Sequence, residues 1–241
     1  MKKSDLINYI QKYYLGGFVN AVQVISSKEG LLCKFITPTK DLVGIINKKE
    51  SFLPHGHLYI YNTSQLLKLI SILGEDITVN YEGGKVPTKK LISDSVYDIT
   101  YPLSDPILIN SKIPDIKEGS FDFSIPLNTE NKNKILKVKN SIDTENIWIG
   151  PYKDISDYKI QFTFGDNAEH NNKISFYVPP KDQIQSFQEY SLPFSLEYLK
   201  EILSSNKDID GELFLNQKGL MKIVFETSDI SIVYYLIRKN I

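Results

Sequence analysis

The chain of 241 residues carries 28 basic and 29 acidic side chains, for a formal net charge of −1 at pH 7. The length allows one large or two small domains, and a hydrophobic fraction of 41% excludes an intrinsically disordered protein. The balanced charge excludes bulk attraction to nucleic acid but permits a local basic stripe. A single cysteine, Cys33, excludes an internal disulfide and is typical of a reducing compartment.

The N-terminal residues are too polar for a signal peptide, because Asp5, Asn8, Gln11 and Lys12 interrupt any apolar run. No later run is long enough to span a bilayer. We therefore expect a cytoplasmic protein with no membrane contact.

The first half of the chain predicts two helices, with strands between and after them. Apolar residues at helical spacing predict a helix over 4–15, with Ser4 as its N-cap and Gly16-Gly17 as its end. A second helix is predicted over 63–73. Alternation and turn residues predict strands over 18–25, 31–36, 42–46 and 57–61, and three more that end near Leu103.

Residues 104–119 differ in character from the segments on either side. Pro106 and Pro114 favour extended backbone, and the segment has few apolar side chains with which to build a core. We interpret 105–119 as a connector between an N-terminal domain, 1–104, and a C-terminal domain, 120–241.

The second half predicts the same kinds of element again. A strand over 121–125 precedes a helix over 129–142, and a second helix is predicted over 195–204, followed by three closing strands. The strands between these helices are predicted near 147–149, 158–164, 174–178 and 187–190.

Two stretches of the chain repeat one pattern about 130 residues apart. A strand leads into a helix at 59–70, and strands and a glycine turn follow up to Ile99. The same order recurs from Phe194 to Tyr235. Repetition at half the chain length predicts a duplicated domain in which helices pack on antiparallel sheets, an α+β fold.

The order of these elements resembles the DNA polymerase sliding clamps, closest to the processivity clamps of tailed phages and more distantly to proliferating cell nuclear antigen. The likeness is best over 57–107, where helix 63–73, the turn at 82–85 and the run from Tyr97 to Pro102 match the phage pattern. Val233 to Leu236, followed by Arg238-Lys239, is similar to the closing strand of clamps.

The resemblance implies a DNA clamp fold with two clamp-type domains per chain, each with two helices packed on antiparallel sheets. It implies a homotrimer that closes into a ring, encircles duplex DNA through phosphate contacts, and tethers the DNA polymerase as a processivity factor. A clamp loader is a further implied partner, and the expected setting is a phage protein in the bacterial cytoplasm. Two alternatives stay open: a monomeric polymerase accessory factor of the same fold, and a structural β-rich ring protein without a DNA role.

A clamp that holds DNA without reading its sequence needs lysines that face phosphates from rigid helices. In the predicted helix 129–142, Ile135 and Val138 lie on one side, and Lys134 and Lys137 lie on the other. Any one of these lysines is equally consistent with an ordinary solvated residue, and Glu197 or Glu201 would lower the local potential. The predicted DNA-binding residues are Lys12, Lys68, Lys132, Lys134, Lys137, Lys139 and Lys200.

The resemblance also implies a groove beneath the connector and beside the C-terminal strand, which accepts short peptides from the polymerase and the clamp loader. The alternative is that these apolar residues anchor the connector to the domain surfaces. The predicted groove residues are Leu108, Ile113, Ile116, Tyr235 and Ile237, with Ile241 as a further candidate.

Subunit contact is implied to be strand pairing between residues 97–101 of one chain and 173–178 of the next. Proline at Ile99 is expected to weaken this contact by removing a ladder donor. The predicted interface residues are Tyr97, Ile99, Tyr101, Ile174, Phe176 and Val178.

The sequence favours no catalytic, metal or cofactor site. His55 and His57 have alternate spacing but lack a nearby cysteine or carboxylate partner, so exposed turn residues are the better interpretation. Residues 208–211 begin like a calcium loop and lack its downstream ligands. No phosphate loop, dinucleotide fingerprint or nucleophile elbow is present. We therefore expect a protein that is not an enzyme.

Overall fold

A computed structural model describes residues 1–83, 86–109, 113, 116–154, 157–165, 172–182 and 189–240. The predicted turn residues Gly84 and Lys85, connector residues 110–112, 114 and 115, the first half of the predicted strand 187–190, and Ile241 lie outside the described residues. The second half of that predicted strand, Glu189 and Tyr190, is not in a strand. The helices are α1 (Lys3–Tyr14), α2 (Thr63–Ser71), α3 (Thr129–Lys139) and α4 (Leu196–Ser205). Among the described residues, no helix is long and apolar enough to cross a membrane.

The chain divides into two compact units, and the first comprises residues 1–115 and 227–232. Its strands run in the order β4-β1-β2-β3 in one sheet and β5-β6-β7 in another. Their bounds are β1 Val22–Ser27, β2 Gly30–Ile36, β3 Leu42–Lys48, β4 Gly56–Ile60, β5 Thr78–Glu82, β6 Lys89–Ser93 and β7 Asp98–Pro102.

The second unit comprises residues 116–226 and 233–241. Its strands run in the order β11-β10-β9-β12 in one sheet and β15-β14-β13-β8 in the other. Their bounds are β8 Phe123–Leu127, β9 Asn146–Lys153, β10 Tyr158–Phe164, β11 Ile174–Val178, β12 Leu192–Ser195, β13 Gly211–Leu215, β14 Leu220–Glu226 and β15 Ile230–Ile237, whose first three residues group with the first unit.

The two units repeat one topology, which confirms the predicted duplication. The order β4-β1-β2-β3 corresponds to β12-β9-β10-β11, and a helix followed by three strands comes next in each unit. The pairing before the first helix of each unit also corresponds, as an isolated bridge at Lys2 in the first unit and as β8 in the second. Met1 and Ile77 exchange backbone hydrogen bonds just before β5, the first strand after α2. In the second unit, β8 pairs with β13, the first strand after α4.

The helices pack in pairs, α1 with α2 and α3 with α4. Their starts are capped where the sequence supplies a side-chain oxygen, as at Asn62, Asn128 and Ser195. The predicted cap at Ser4 is wrong, because α1 begins at Lys3 and the Ser4 hydroxyl donates to Glu75 instead. The strand predicted from Phe18 begins only at Val22, because a 3-10 turn over Leu15–Gly17 leaves Phe18 in helical conformation.

A fully buried lysine lies in the first unit and was not predicted. Lys90 of β6 is 1% exposed and stands opposite Tyr81 and Tyr101 on the neighbouring strands. Burial lowers the pKa of Lys90 from 10.5 to about 8. A charged amine is therefore costly at this position in the folded state.

We expect Lys90→Met to stabilise the protein at pH 7. The unfolded chain binds a proton at Lys90 up to about pH 10.5, whereas the folded chain releases it near pH 8. The wild-type protein therefore gains stability as pH rises from about 8 to 10.5. The cost of the charge below pH 8 is on the order of 3 kcal/mol, so the advantage of the variant should shrink over that range. Urea denaturation of both proteins at several pH values measures the difference in their free energies of unfolding.

The control for this experiment is Lys89→Met, at the adjacent exposed position. It removes the same charge without relieving burial, so its stability should follow the wild-type pH dependence. Equal stability of Lys90→Met and wild type at pH 7 would show that the Lys90 ammonium is well solvated.

Candidate nucleic-acid interface and partner surfaces

Helix α3 presents two exposed lysines, Lys134 and Lys137, on the side opposite buried Ile135. Lys68 is likewise exposed on α2, whose buried residues include Leu66 and Ile70. These three lysines therefore lie where the helical periodicity predicts, with side chains accessible to a large polyanion.

Lys132 is a wrong prediction, because its side chain is buried at 2% exposure. Its ammonium donates to the carbonyls of Asn206, Lys207 and Ile209, at 3.3, 2.8 and 2.9 Å. These carbonyls lie just beyond the end of α4, where backbone acceptors lack helical partners. Burial lowers the pKa of Lys132, while Asp210 opposes that shift. The residue fastens α3 to the end of α4 and is not available to DNA.

Lys12 is also buried, at 5% exposure. It follows Tyr9 by one helical turn and precedes Tyr13, and both tyrosines lie in the core of the first unit. The buried face of α1 is therefore wider than its apolar spacing predicts. Lys12 is therefore not available to DNA, and the prediction that it binds DNA is wrong.

Carboxylates neutralise three of the remaining lysines. Lys139 lies 2.8 Å from Glu197, and Lys200 lies 3.1 Å from Glu201. Lys134 lies 2.6 Å from Glu130, one turn earlier on α3. The Lys139 hydrogen bond lowers the pKa of Glu197, so this carboxylate stays charged.

These pairs reduce the positive potential that a count of lysines predicts. Lys68 and Lys137 are the predicted DNA-binding lysines that are exposed and have no carboxylate partner within the described ranges. We therefore expect attraction to DNA to be modest and to depend mainly on them.

The predicted interface strands are both edge strands in the described part of the chain: β7 ends the sheet β5-β6-β7, and β11 ends the sheet β11-β10-β9-β12. An edge strand presents unpaired N–H and C=O groups that can pair with another chain. The geometry of both strands is therefore compatible with pairing between copies.

The ladder between β6 and β7 determines which backbone groups of β7 face outward. Asp94 N–H donates to the Tyr97 carbonyl and Leu103 N–H donates to the Thr88 carbonyl. Hydrogen-bonded pairs alternate along an antiparallel ladder, so Ile99 belongs to such a pair with Ile92. The N–H of Ile99 therefore points at β6, and the outward donors are those of Asp98 and Thr100. Proline at Ile99 would break the chain's own ladder, so that substitution does not isolate the subunit contact.

Three of the six side chains predicted for the interface belong to the core. Tyr101 is fully buried, and its hydroxyl donates to the Asn62 carbonyl at 2.9 Å. Ile99 and Val178 are buried as well, and Phe176 stacks on Phe162 at 5.0 Å. Ile174 and Phe176 are half-buried, and Tyr97 is exposed. Contact at these edges would therefore come mainly from backbone groups.

The predicted groove residues differ in exposure. Leu108 and Ile237 are exposed, Ile113 and Ile116 are half-buried, and Tyr235 is buried. The most exposed large apolar side chain in the described chain is one the sequence did not single out, Ile107 at 91%. It stands beside Leu108 in a short 3-10 turn that Asp105 caps.

A cluster around Lys222 was missed by the sequence analysis. The sheet β15-β14-β13-β8 has an exposed face, on which Lys222 and Phe214 lie opposite each other on β14 and β13. The Lys222 ammonium lies 6.0 Å from the ring centroids of Phe121 and Phe214 and 5.9 Å from that of Tyr235. It also donates to Glu118 at 2.8 Å. Strand alternation, which puts Lys222 on the face of its aromatic neighbours, was the one signal in the sequence.

The described residues include no group of three or more His, Cys, Asp or Glu side chains that could hold a metal ion. His55 and His57 are exposed at the start of β4. In the segment 208–211, which begins like a calcium loop, the Asp210 carboxylate lies 3.8 Å from the Lys132 ammonium.

Neither a protein-family model nor a curated protein matches the sequence. The fold is similar to that of the proliferating cellular nuclear antigen (PCNA) from Entamoeba histolytica, with a TM-score of 0.74 and 17% identity over 99% of this chain and 96% of that one. A. fulgidus PCNA, in a structure with the C-terminal region of FEN-1 bound, aligns with a TM-score of 0.75 and 15% identity over 100% and 97% of the two chains. The chain therefore has the α+β clamp fold.

Proposed function

We propose that the chain is a sliding clamp, a non-enzymatic ring that encircles duplex DNA and tethers the replicative DNA polymerase. The observation that supports this most is the duplicated clamp fold, which extends over the whole chain. In accord with the sequence resemblance, we assign the protein to phage replication in the bacterial cytoplasm.

The ring is a homotrimer in this proposal. Each chain supplies two units of the same topology, and three chains give six. The edge strands β7 and β11 support pairing between neighbours, since each has one side without a ladder partner in the described chain. Closure of the ring would remove both edges.

The distribution of charge suits a ring that slides. Of the lysines predicted to bind DNA, Lys12 and Lys132 are buried, and carboxylates neutralise Lys134, Lys139 and Lys200. A small number of phosphate contacts attracts DNA without gripping it, and retention then depends on encirclement.

The connector supports a partner site. Ile107 and Leu108 expose apolar surface in the described part of the chain, and such surface commonly marks an interaction site. In the A. fulgidus structure the partner is a C-terminal region of another protein. By analogy, terminal segments of the DNA polymerase and the clamp loader bind at the connector here.

Retention on DNA of defined topology tests the proposal. We expect the protein, loaded by the clamp loader of the same genome, to stay on nicked circular DNA through a high-salt wash and to leave when the circle is cut. Salt screens phosphate contacts but does not open a topological link. Equal loss from circular and linear DNA would contradict encirclement.

A second candidate is a structural ring without a DNA role. The burial of Lys12 and Lys132 and the ion pairs of Lys134, Lys139 and Lys200 favour it. A trimeric mass together with no DNA retention would select this candidate. A monomeric mass would select the open accessory factor.

A further inference from the structure

The end of the connector is fastened to the second unit at one point. Glu118 is the penultimate residue of the connector, and Phe121 follows it closely in sequence. Glu118 accepts a hydrogen bond from Lys222 of β14, and Phe121 packs against Phe214 of β13 with ring centroids 5.6 Å apart. The chain thus meets the exposed face of the sheet through an ion pair and an aromatic contact at once.

Both carboxylate oxygens of Glu118 are engaged. One accepts from the Lys222 ammonium, and the other accepts from the Tyr235 hydroxyl. Burial alone would raise the pKa of Glu118, but these two hydrogen bonds outweigh it and hold that pKa below its ordinary value. The carboxylate is therefore charged near neutral pH, as a charge-assisted contact requires.

Lys222 is held from several sides. Its side chain is 22% exposed, against 37% for Glu118, and three aromatic rings stand about its ammonium. Aromatic faces attract a cation at such distances. The ammonium is thus kept in position beneath the connector, whereas most exposed lysines have freely rotating ends.

The ion pair adjoins the residues to which we assign partner binding. Tyr235 lies on the same face of β15 as exposed Ile237, since alternate residues share a face. Ile116 precedes Glu118 by two residues and is half-buried. Ile116 and Tyr235 thus both adjoin the ion pair of Glu118 with Lys222.

We propose that Glu118 and Lys222 form a latch that holds the connector on the second unit and positions Ile116 and Tyr235 for a partner segment. The part that concerns the partner rests on the proposed function. Both are positioning residues in this proposal, and neither needs to touch the partner.

The rate of cleavage by trypsin tests the latch in the absence of any partner. Lys117 is exposed and adjoins Glu118, so cleavage after Lys117 reports how often the connector leaves the sheet. We expect Lys222→Met to speed this cleavage about fivefold, since it removes a charge-assisted hydrogen bond that water partly screens. Lys222→Arg keeps the charge and should cleave at close to the wild-type rate. Neither change alters the cleavage site itself.

The ion pair of Lys181 with Glu212 provides a matched control. The two side chains lie 2.7 Å apart and Glu212 is on the same sheet, but neither residue has a hydrogen bond or ion pair with the described part of the connector. Lys181→Met should leave cleavage after Lys117 unchanged. If it speeds cleavage as much as Lys222→Met, general destabilisation is the cause and the latch is refuted.

Binding of the purified replicative polymerase of the same genome tests whether the latch positions Ile116 and Tyr235 for a partner. We expect Lys222→Met and Glu118→Gln each to raise its Kd about fivefold, and the double variant to do no worse than either, because both remove the same ion pair. Unchanged cleavage in Lys222→Met overturns the latch. Faster cleavage with unchanged polymerase affinity overturns the positioning role. No binding of polymerase to the wild-type protein refutes the proposed partner and this positioning role together, while cleavage still decides the latch.

Discussion

Thr100→Pro is expected to convert the proposed trimer into a monomer. The N–H of Thr100 points away from β6, and proline removes that donor from the free edge of β7. Every interface between subunits should be weakened in the same way, because a symmetric ring repeats one interface. Light scattering should show a fall from three times the chain mass of 27.6 kDa to that mass.

Two variants separate loss of the edge donor from general damage. Thr100→Val keeps the N–H and should remain trimeric. Ile99→Pro removes the donor that bonds to β6, so it should lower the melting temperature of the first unit. A trimeric Thr100→Pro protein would show that β7 is not the subunit edge.

Reversal of charge at Lys68 and Lys137 is expected to remove most of the attraction to DNA. These exposed lysines lack a carboxylate partner in the described chain, so their positive charge is not neutralised locally. The slope of log K against log salt should fall by about 0.9 for each DNA phosphate that the variant no longer neutralises. Fluorescence anisotropy with a short duplex at several salt concentrations measures that slope.

The control variant is Lys28→Glu with Lys40→Glu, which changes the net charge equally. Both lysines are exposed in turns between strands of the first unit and lie on no helix. Their reversal should leave the salt slope close to that of the wild type. An equal fall in both variants would mean that net charge, not the helix faces, governs DNA binding.

Glu197 and Glu201 are residues that the sequence predicts to weaken a basic helix face. The ion pairs of Lys139 and Lys200 confirm that effect. Lys132 shows the limit of a helical wheel. A helical wheel gives the direction of the Lys132 side chain from the helix axis. It does not show that the carbonyls that bind its ammonium come from residues more than 70 positions later.

Local periodicity was enough to predict the four helices, most of the strands and the duplication. Each of these follows from the spacing of apolar side chains and from turn residues, which are close together in the chain. The polar face of α3 at Lys134 and Lys137 follows in the same way. The sequence by itself thus determined the α+β class and where a charged face would lie.

Only the tertiary structure decided which charges are free, which backbone donors face outward, and what holds the connector. The outward donors of β7 depend on its register with β6, which no property of β7 alone specifies. The interactions of Lys222 join residues 118, 121, 214 and 235. Such interactions arise when distant segments fold onto one sheet, so spacing along the chain carries no record of them.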